Sequence, residues 1–323
     1  MSDSTSTIRV SNHNNWPAVE LFPCERDLIQ KMATHNIQQI FVTAKLKPDD
    51  KDEPFNAAVG HILDCLDCLP QRPDAAFDSL YKVIDQNLNI FEKPSRSRMQ
   101  AMADHFFSVH PTEWTVITEL LSEHIPQQTA DYAASRILDC QIESNPPHSE
   151  HMKKRAERSL GKQRYKDFCK KFLITAPDTP ELFLSLNYED RRNAGRLMCL
   201  FFRQSAPLKK IPKNPDDASS TLNLSNPANL LLPKEKLTSL LEILLSTYRH
   251  ERFHGEAFSP FRSSKASIKT YAHAYYALIV AYIIVLGVLE SQNKGGTSMA
   301  SIVDVTRKSM KSISSFFEDA LNK

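Results

Sequence analysis

From Thr270 to Leu289 the chain runs TYAHAYYALIVAYIIVLGVL, twenty residues without one formally charged side chain. A helix of that composition must be surrounded by protein or by lipid, because neither face offers water a partner. His273, four tyrosines and Gly287 fall inside the stretch, and neither a clear basic flank nor a second span accompanies it. The reading that follows is a core helix buried all round, with no membrane, and the rest of the chain supplies its walls.

Those walls read as helices. Apolar residues recur at helical spacing in 55–69 (Phe55, Val59, Ile62, Leu66, Leu69), in 77–91 (Phe77, Leu80, Tyr81, Ile84, Leu88, Phe91) and in 111–124 (Trp114, Ile117, Leu121). The same period predicts helices over 128–141, 150–174 and 180–203, the last interrupted or capped near Gly195. Residues 234–255 carry Leu237, Leu240, Leu241, Leu244 and Tyr248 on one side, with Gly255 as a stop. Residues 298–321 repeat the pattern through Ile302, Val305, Ile313, Phe317 and Leu321. Only 7 glycines in 323 residues argue against turn-rich β architectures, and no glycine-rich phosphate loop is present. The expected fold class is all-α, a C-terminal helical bundle with an additional helical N-terminal region.

The expected organisation is a polar, disordered tail over 1–20, a helical region over 21–203, a long mobile connection over 204–232 rich in Pro, Asn and Ser, and C-terminal helices over 233–323. A net charge of +2 leaves nucleic-acid binding to local patches. Six scattered cysteines and no opening signal peptide predict a reduced, cytoplasmic setting.

Residues 246–256, STYRHERFHGE, carry the chemistry. Read from His250 they spell H-E-x-x-H, which puts two imidazoles on one helix face to share a zinc ion while Glu251 polarises its water. Against that reading, Arg249 and Arg252 would crowd a divalent cation, and no third ligand stands at the extended spacing, where position 260 is Pro. Read from Arg249 they spell R-x-x-x-x-H. Cleavage of RNA through its own 2′-hydroxyl needs a group that titrates near neutrality and a cation for the phosphate, and His254 and Arg249 are those residue types.

YRHERFHGE, between an amphipathic helix and an apolar one, resembles the catalytic segment of HEPN domains. These are small helical bundles, commonly metal-independent endoribonucleases, which often dimerise so that two motifs line a shared groove. In that family Asn, Asp or His typically follows the Arg, and His250 matches. The resemblance covers 233–323, and 55–92, through DAAFDSLYKVIDQNL (74–88), supplies an earlier helix of the same bundle. It implies Arg249, His254 and His250 as catalytic residues and no metal or other cofactor. RNA would be the substrate, cleaved to a 2′,3′-cyclic phosphate. A homodimer, a regulatory or antitoxin protein as partner, and a role as a toxin or antiphage effector are implied with it. Two readings of other classes stand beside this one: a zinc hydrolase using His250, Glu251 and His254, and a non-catalytic RNA-binding or assembly protein in which the Arg249–His254 pair is structural.

Two further motifs bear on function. His61, Cys65 and Cys68 share a helical face that offers soft metal ligands, though core packing is the expected role of these cysteines. The run 153–171 holds nine basic and two acidic residues around Tyr165 and Phe168, a candidate surface for a nucleic-acid backbone beside the shorter PLKKIPK at 207–213.

Overall fold

Most apolar stripes become helices in the computed structural model, which describes residues 4–49, 51–93, 96–142, 149–207, 222–254 and 258–321; the helix expected over 180–203 begins only at Tyr188, because Phe183–Ser185 pair as a strand instead. In chain order the helices are α1 (Thr5–Asn14), α2 (Pro23–Thr34), α3 (Glu53–Asp67), α4 (Pro73–Asn87), α5 (Arg98–Val109), α6 (Pro111–Glu123), α7 (Gln127–Asp139), α8 (Ser149–Leu160), α9 (Lys162–Phe172) and α10 (Tyr188–Arg203). They are followed by α11 (Pro233–Ser239), α12 (Ser246–Phe253), α13 (Ile268–Ser291), α14 (Met299–Phe316) and α15 (Glu318–Leu321). The fold is all-α. Among the described residues the only sheet is the two-stranded antiparallel pair β1 (Ile174–Thr175) and β2 (Phe183–Ser185). The chain divides into two compact units, Met1–Gln86 with Arg249–Lys323, and Asn87–Tyr248.

In the first unit, α13 is the axis. By length and composition it could cross a membrane, yet its apolar window is buried throughout, against α2, α14, α15 and residues 260–262. Three of its four tyrosines settle their polar ends on neighbouring backbone. Tyr271 donates to the Gln71 carbonyl at 3.0 Å and Tyr275 to the Pro70 carbonyl at 2.9 Å, while Tyr282 accepts from the Ala44 N–H at 2.8 Å. Each of these hydroxyls thus has a partner and fixes the loop it reaches. Phe261 stacks on Tyr271 with ring centroids 4.0 Å apart, and Phe41 meets Tyr282 edge-on. After α13 the chain turns through Gly295 and Gly296, at φ +60° and +61°, where the Gly295 carbonyl accepts from the Lys47 N–H and Lys294 reaches the α3 cap residue Asp52.

In the second unit α11 continues through a π-helical turn, Leu240–Leu245, into α12. The Ser246 N–H and its hydroxyl both use the Leu241 carbonyl, five residues back, which accommodates the wider turn. Two charges of this segment are buried and matched. Lys236 donates to both Glu119 oxygens, at 2.9 and 3.1 Å, and Glu242 receives a two-point contact from Arg158 and a hydrogen bond from Ser97. Gly195 lies inside α10 rather than interrupting it. A Cβ there would stand 1.9 Å from the Asp131 carboxylate and 3.0 Å from its Cα, so its lack of a side chain lets α7 and α10 approach at backbone distance.

Other expectations are corrected in the described residues. The segment expected as a disordered tail contains α1, capped by the Ser4 hydroxyl on the Thr7 N–H and anchored by buried Ile8. The second half of the expected mobile connection is packed: Leu222, Leu224 and Leu231 are buried, and the Asn223 and Asn226 side chains close its turns. Residues 208–221 of that connection, and the helix stop expected at Gly255, lie outside the described residues. The α3 stripe is rotated from the expected one, burying Phe55, Ala58, Ile62 and Cys65 and leaving Val59 and Leu66 half-buried.

Gly60 lies in mid-helix with open space around it, so Gly60→Ala is expected to stabilise the protein by about 0.5–1 kcal/mol. Gly295→Ala is expected to destabilise it by more than that, because its Cβ would meet buried Phe55 at 2.6 Å from a left-handed backbone. Chemical denaturation of both variants checks the opposite signs. Within α13, burial pushes the His273 pKa down to about 4, so the folded protein holds the imidazole neutral. The unfolded chain takes up that proton first as pH falls, so the contribution is whole above the ordinary value of 6.5 and lost towards 4. Relative to His273→Gln, wild-type unfolding free energy should drop by about 3 kcal/mol between pH 7 and pH 4.

Candidate functional site

The second half of α12 belongs to the first unit, and α4 of that unit receives it. Asp74, Asp78 and Tyr81 recur along α4 at i, i+4 and i+7, one face of a helix. Arg252 lies against that face, with Nε 2.7 Å from Asp78 Oδ1 and Nη1 3.1 Å from Asp74 Oδ2. Asp74 has no exposed surface and also takes a two-point contact from Arg72, at 2.9 and 3.0 Å. Burial acts to raise the Asp74 pKa, but the Arg72 hydrogen bonds, followed by the charges of Arg72 and Arg252, bring it below the ordinary carboxylate value.

Arg249, one turn earlier, meets the same helix differently. Its guanidinium carbon lies 5.8 Å from the centre of the Tyr81 ring and 4.9 Å from that of Phe253. No carboxylate pairs with it among the described residues, and its buried Nε has no hydrogen-bond partner there. Two aromatic faces therefore hold a planar cation that no carboxylate among the described residues compensates.

His250 and His254 form a second pair, their ring centroids 4.3 Å apart and tilted by 46°. The His254 N–H donates to the His250 carbonyl at 3.0 Å, so the helical path extends past Phe253 and brings the two imidazoles together at i and i+4. His254 is exposed and His250 half-buried. Arg249 and His254 are not joined directly. Five helical residues turn through about 500°, which leaves the two side chains roughly 140° apart around the axis. The three expected site residues thus fall on adjacent faces of one helix end: Arg249 on the aromatic face, the two histidines beside it.

The zinc reading asks for a third ligand. Among the described residues no group of three His, Cys, Asp or Glu side chains is placed to hold a metal ion, so His250 and His254 lack a third ligand there. The crowding expected from Arg252 does not arise, since Asp74 and Asp78 neutralise it. At the other motif Cys65 is fully buried, with burial pushing its thiol up to about 12, and His61 lies 3.6 Å from Asp64. The basic run 153–171 is only partly available. Arg158 is spent on Glu242, and Arg164 on Glu235 and the Leu230 carbonyl, which leaves lysines such as Lys154, Lys166 and Lys170 exposed. Most of PLKKIPK lies outside the described residues.

Comparison of the chain with models of protein families, with curated proteins and with solved structures finds no match.

The sequence reading missed Asp74, Asp78, Tyr81 and Phe253. The i, i+4, i+7 spacing of the first three marks a face, but nothing local says which helix covers it. Replacing Asp74 deprives Arg72 and Arg252 of their shared, fully buried anion, so Asp74→Asn should cost about 3–5 kcal/mol of stability. Asp78, more than a quarter exposed, should cost about 1 kcal/mol or less as Asp78→Asn. Urea unfolding of the two variants tests the ranking.

Proposed function

We propose that the chain is a metal-independent endoribonuclease of the HEPN kind, with Arg249, His250 and His254 as its working residues. The observation that carries this reading is the contrast between two arginines of one helical turn. Arg252 is neutralised by two carboxylates, whereas Arg249 meets rings and, among the described residues, no carboxylate, which leaves its charge for an anion. So placed, it is suited to a phosphate whose charge grows in the transition state.

In the proposed reaction His254 accepts the proton of the ribose 2′-hydroxyl. The 2′-oxygen forms a bond to phosphorus and the bond from phosphorus to the 5′-oxygen breaks. A second imidazole returns a proton to the leaving 5′-oxygen, giving a 2′,3′-cyclic phosphate and a 5′-hydroxyl. His250, whose ring lies tilted against that of His254, orients it. A second copy of the chain would supply a second His254 and a second Arg249 across a two-fold axis, so that one histidine acts as base and the other as acid. The resemblance to HEPN proteins extends the proposal to a toxin or antiphage role under a regulatory or antitoxin protein, but the site itself carries only the RNA chemistry.

Arg249→Ala and His254→Ala should each stay folded and lose RNA cleavage by roughly 100-fold or more. Wild-type cleavage should persist in excess chelator and leave cyclic phosphate ends. Adding His254→Ala chains to wild type should lower activity beyond dilution. Stoichiometric zinc bound through His250 and His254, with cleavage abolished by its removal, would reject the proposal.

A further inference from the structure

The first unit carries a groove that none of this chemistry uses. It is about 580 Å³, within the range of roughly 300–1,000 Å³ usual for ligand sites, and it lies between the segment Arg9–Phe22 and residues Phe258–Arg262. Its apolar lining is unusually bare. Trp16 is 77% exposed and Phe258 60%, and Val19 and Leu21 are exposed beside them. Large aromatic rings in water cost free energy that a covering ligand would recover.

Charge identifies the ligand. Arg9 lies over the Phe258 ring, 5.3 Å from its centre, and donates to the Arg262 carbonyl at 2.8 Å. Neither Arg9 nor Arg262 has a carboxylate partner among the described residues. The two acids in the lining are already committed: Glu20 to Arg26 at 3.1 Å, and Glu25 to the Phe22 N–H at 2.8 Å. The Ser259 hydroxyl, also in the lining, is buried with no hydrogen-bond partner there. Exposed rings beside unpaired guanidinium groups suit a ligand that alternates planar bases with phosphates. Single strands fit this description, and duplexes, whose bases are already stacked, do not.

The groove also lies close to the site along the chain. Phe258 follows His254 by four residues, which limits their Cα separation to about 14 Å. We infer that this groove binds single-stranded RNA by stacking bases on Trp16 and Phe258 and pairing phosphates with Arg9 and Arg262. It would feed the strand towards His254, a role that rests on the ribonuclease reading.

The test uses the full-length protein and a fluorescein-labelled single-stranded oligoadenylate, 2′-O-methylated throughout so that it cannot be cut. Trp16→Ala and Arg262→Gln should each weaken binding by roughly 10-fold with thermal unfolding unchanged. Duplex RNA should compete poorly. On unmodified RNA, Trp16→Ala should raise KM while leaving kcat within about twofold. If both variants bind the oligonucleotide as tightly as wild type, the groove is not the RNA path, and the ribonuclease proposal is untouched. If binding falls as expected but His254→Ala still cleaves at full rate, the groove stands and the catalytic reading fails. An oligodeoxyadenylate bound more than 10-fold tighter than the RNA would overturn the assignment to RNA. A Trp16→Ala variant that loses self-association while keeping its RNA affinity would overturn it in favour of a second copy of the chain.

Discussion

A carboxylate with no exposed surface can remain charged only if its neighbours replace water, and at Asp74 two arginines do so. Much of the first unit is arranged around that demand. Arg72 arrives from the α3–α4 turn, and Arg252 from the helix that carries the candidate site. The turn is itself pinned, because Pro70 and Gln71 give their carbonyls to Tyr275 and Tyr271 of the buried helix. One anion and two phenols therefore link the apolar core to the position of α12. Arg249 and the histidines inherit their placement from this chain of contacts.

The second unit has the same device twice. Lys236 with Glu119, just before the π turn, and Glu242 with Arg158, within it, pair opposite charges. Such pairs contribute little net stability over apolar replacements, since desolvation offsets most of the attraction. What they add is selectivity, because sliding the helix by one residue would strand a charge among leucines.

The fold was legible where burial is one-sided and local. The faces of α4, α6 and α14 were read residue by residue, because a helix with one wet side advertises its period. Features that depend on distant partners were not. Gly195 read as a break because sequence shows its missing side chain but not Asp131, which occupies the space. Arg158 and Arg164 read as a surface patch because their acids, Glu242 and Glu235, lie far along the chain. The candidate site divides in the same way. The spacing of Arg249, His250 and His254 is visible in eleven letters of sequence. That Arg249 turns to Tyr81 while Arg252 takes both acids depends on a helix more than 160 residues earlier.

The cysteines record a last property of this packing. Burial pushes Cys24 up to about 11 and Cys65 to about 12 in the first unit, and Cys140 to about 11 and Cys169 to about 12 in the second. All four are free thiols with almost no exposed surface. A thiol reacts through its anion, so in the closed protein these groups are both shielded and protonated. Their modification by an alkylating reagent would be timed by opening of the surrounding helices rather than by the chemistry of sulfur. Each unit thereby carries its own native clock, and the order in which the four thiols are labelled would show which half of the molecule opens first.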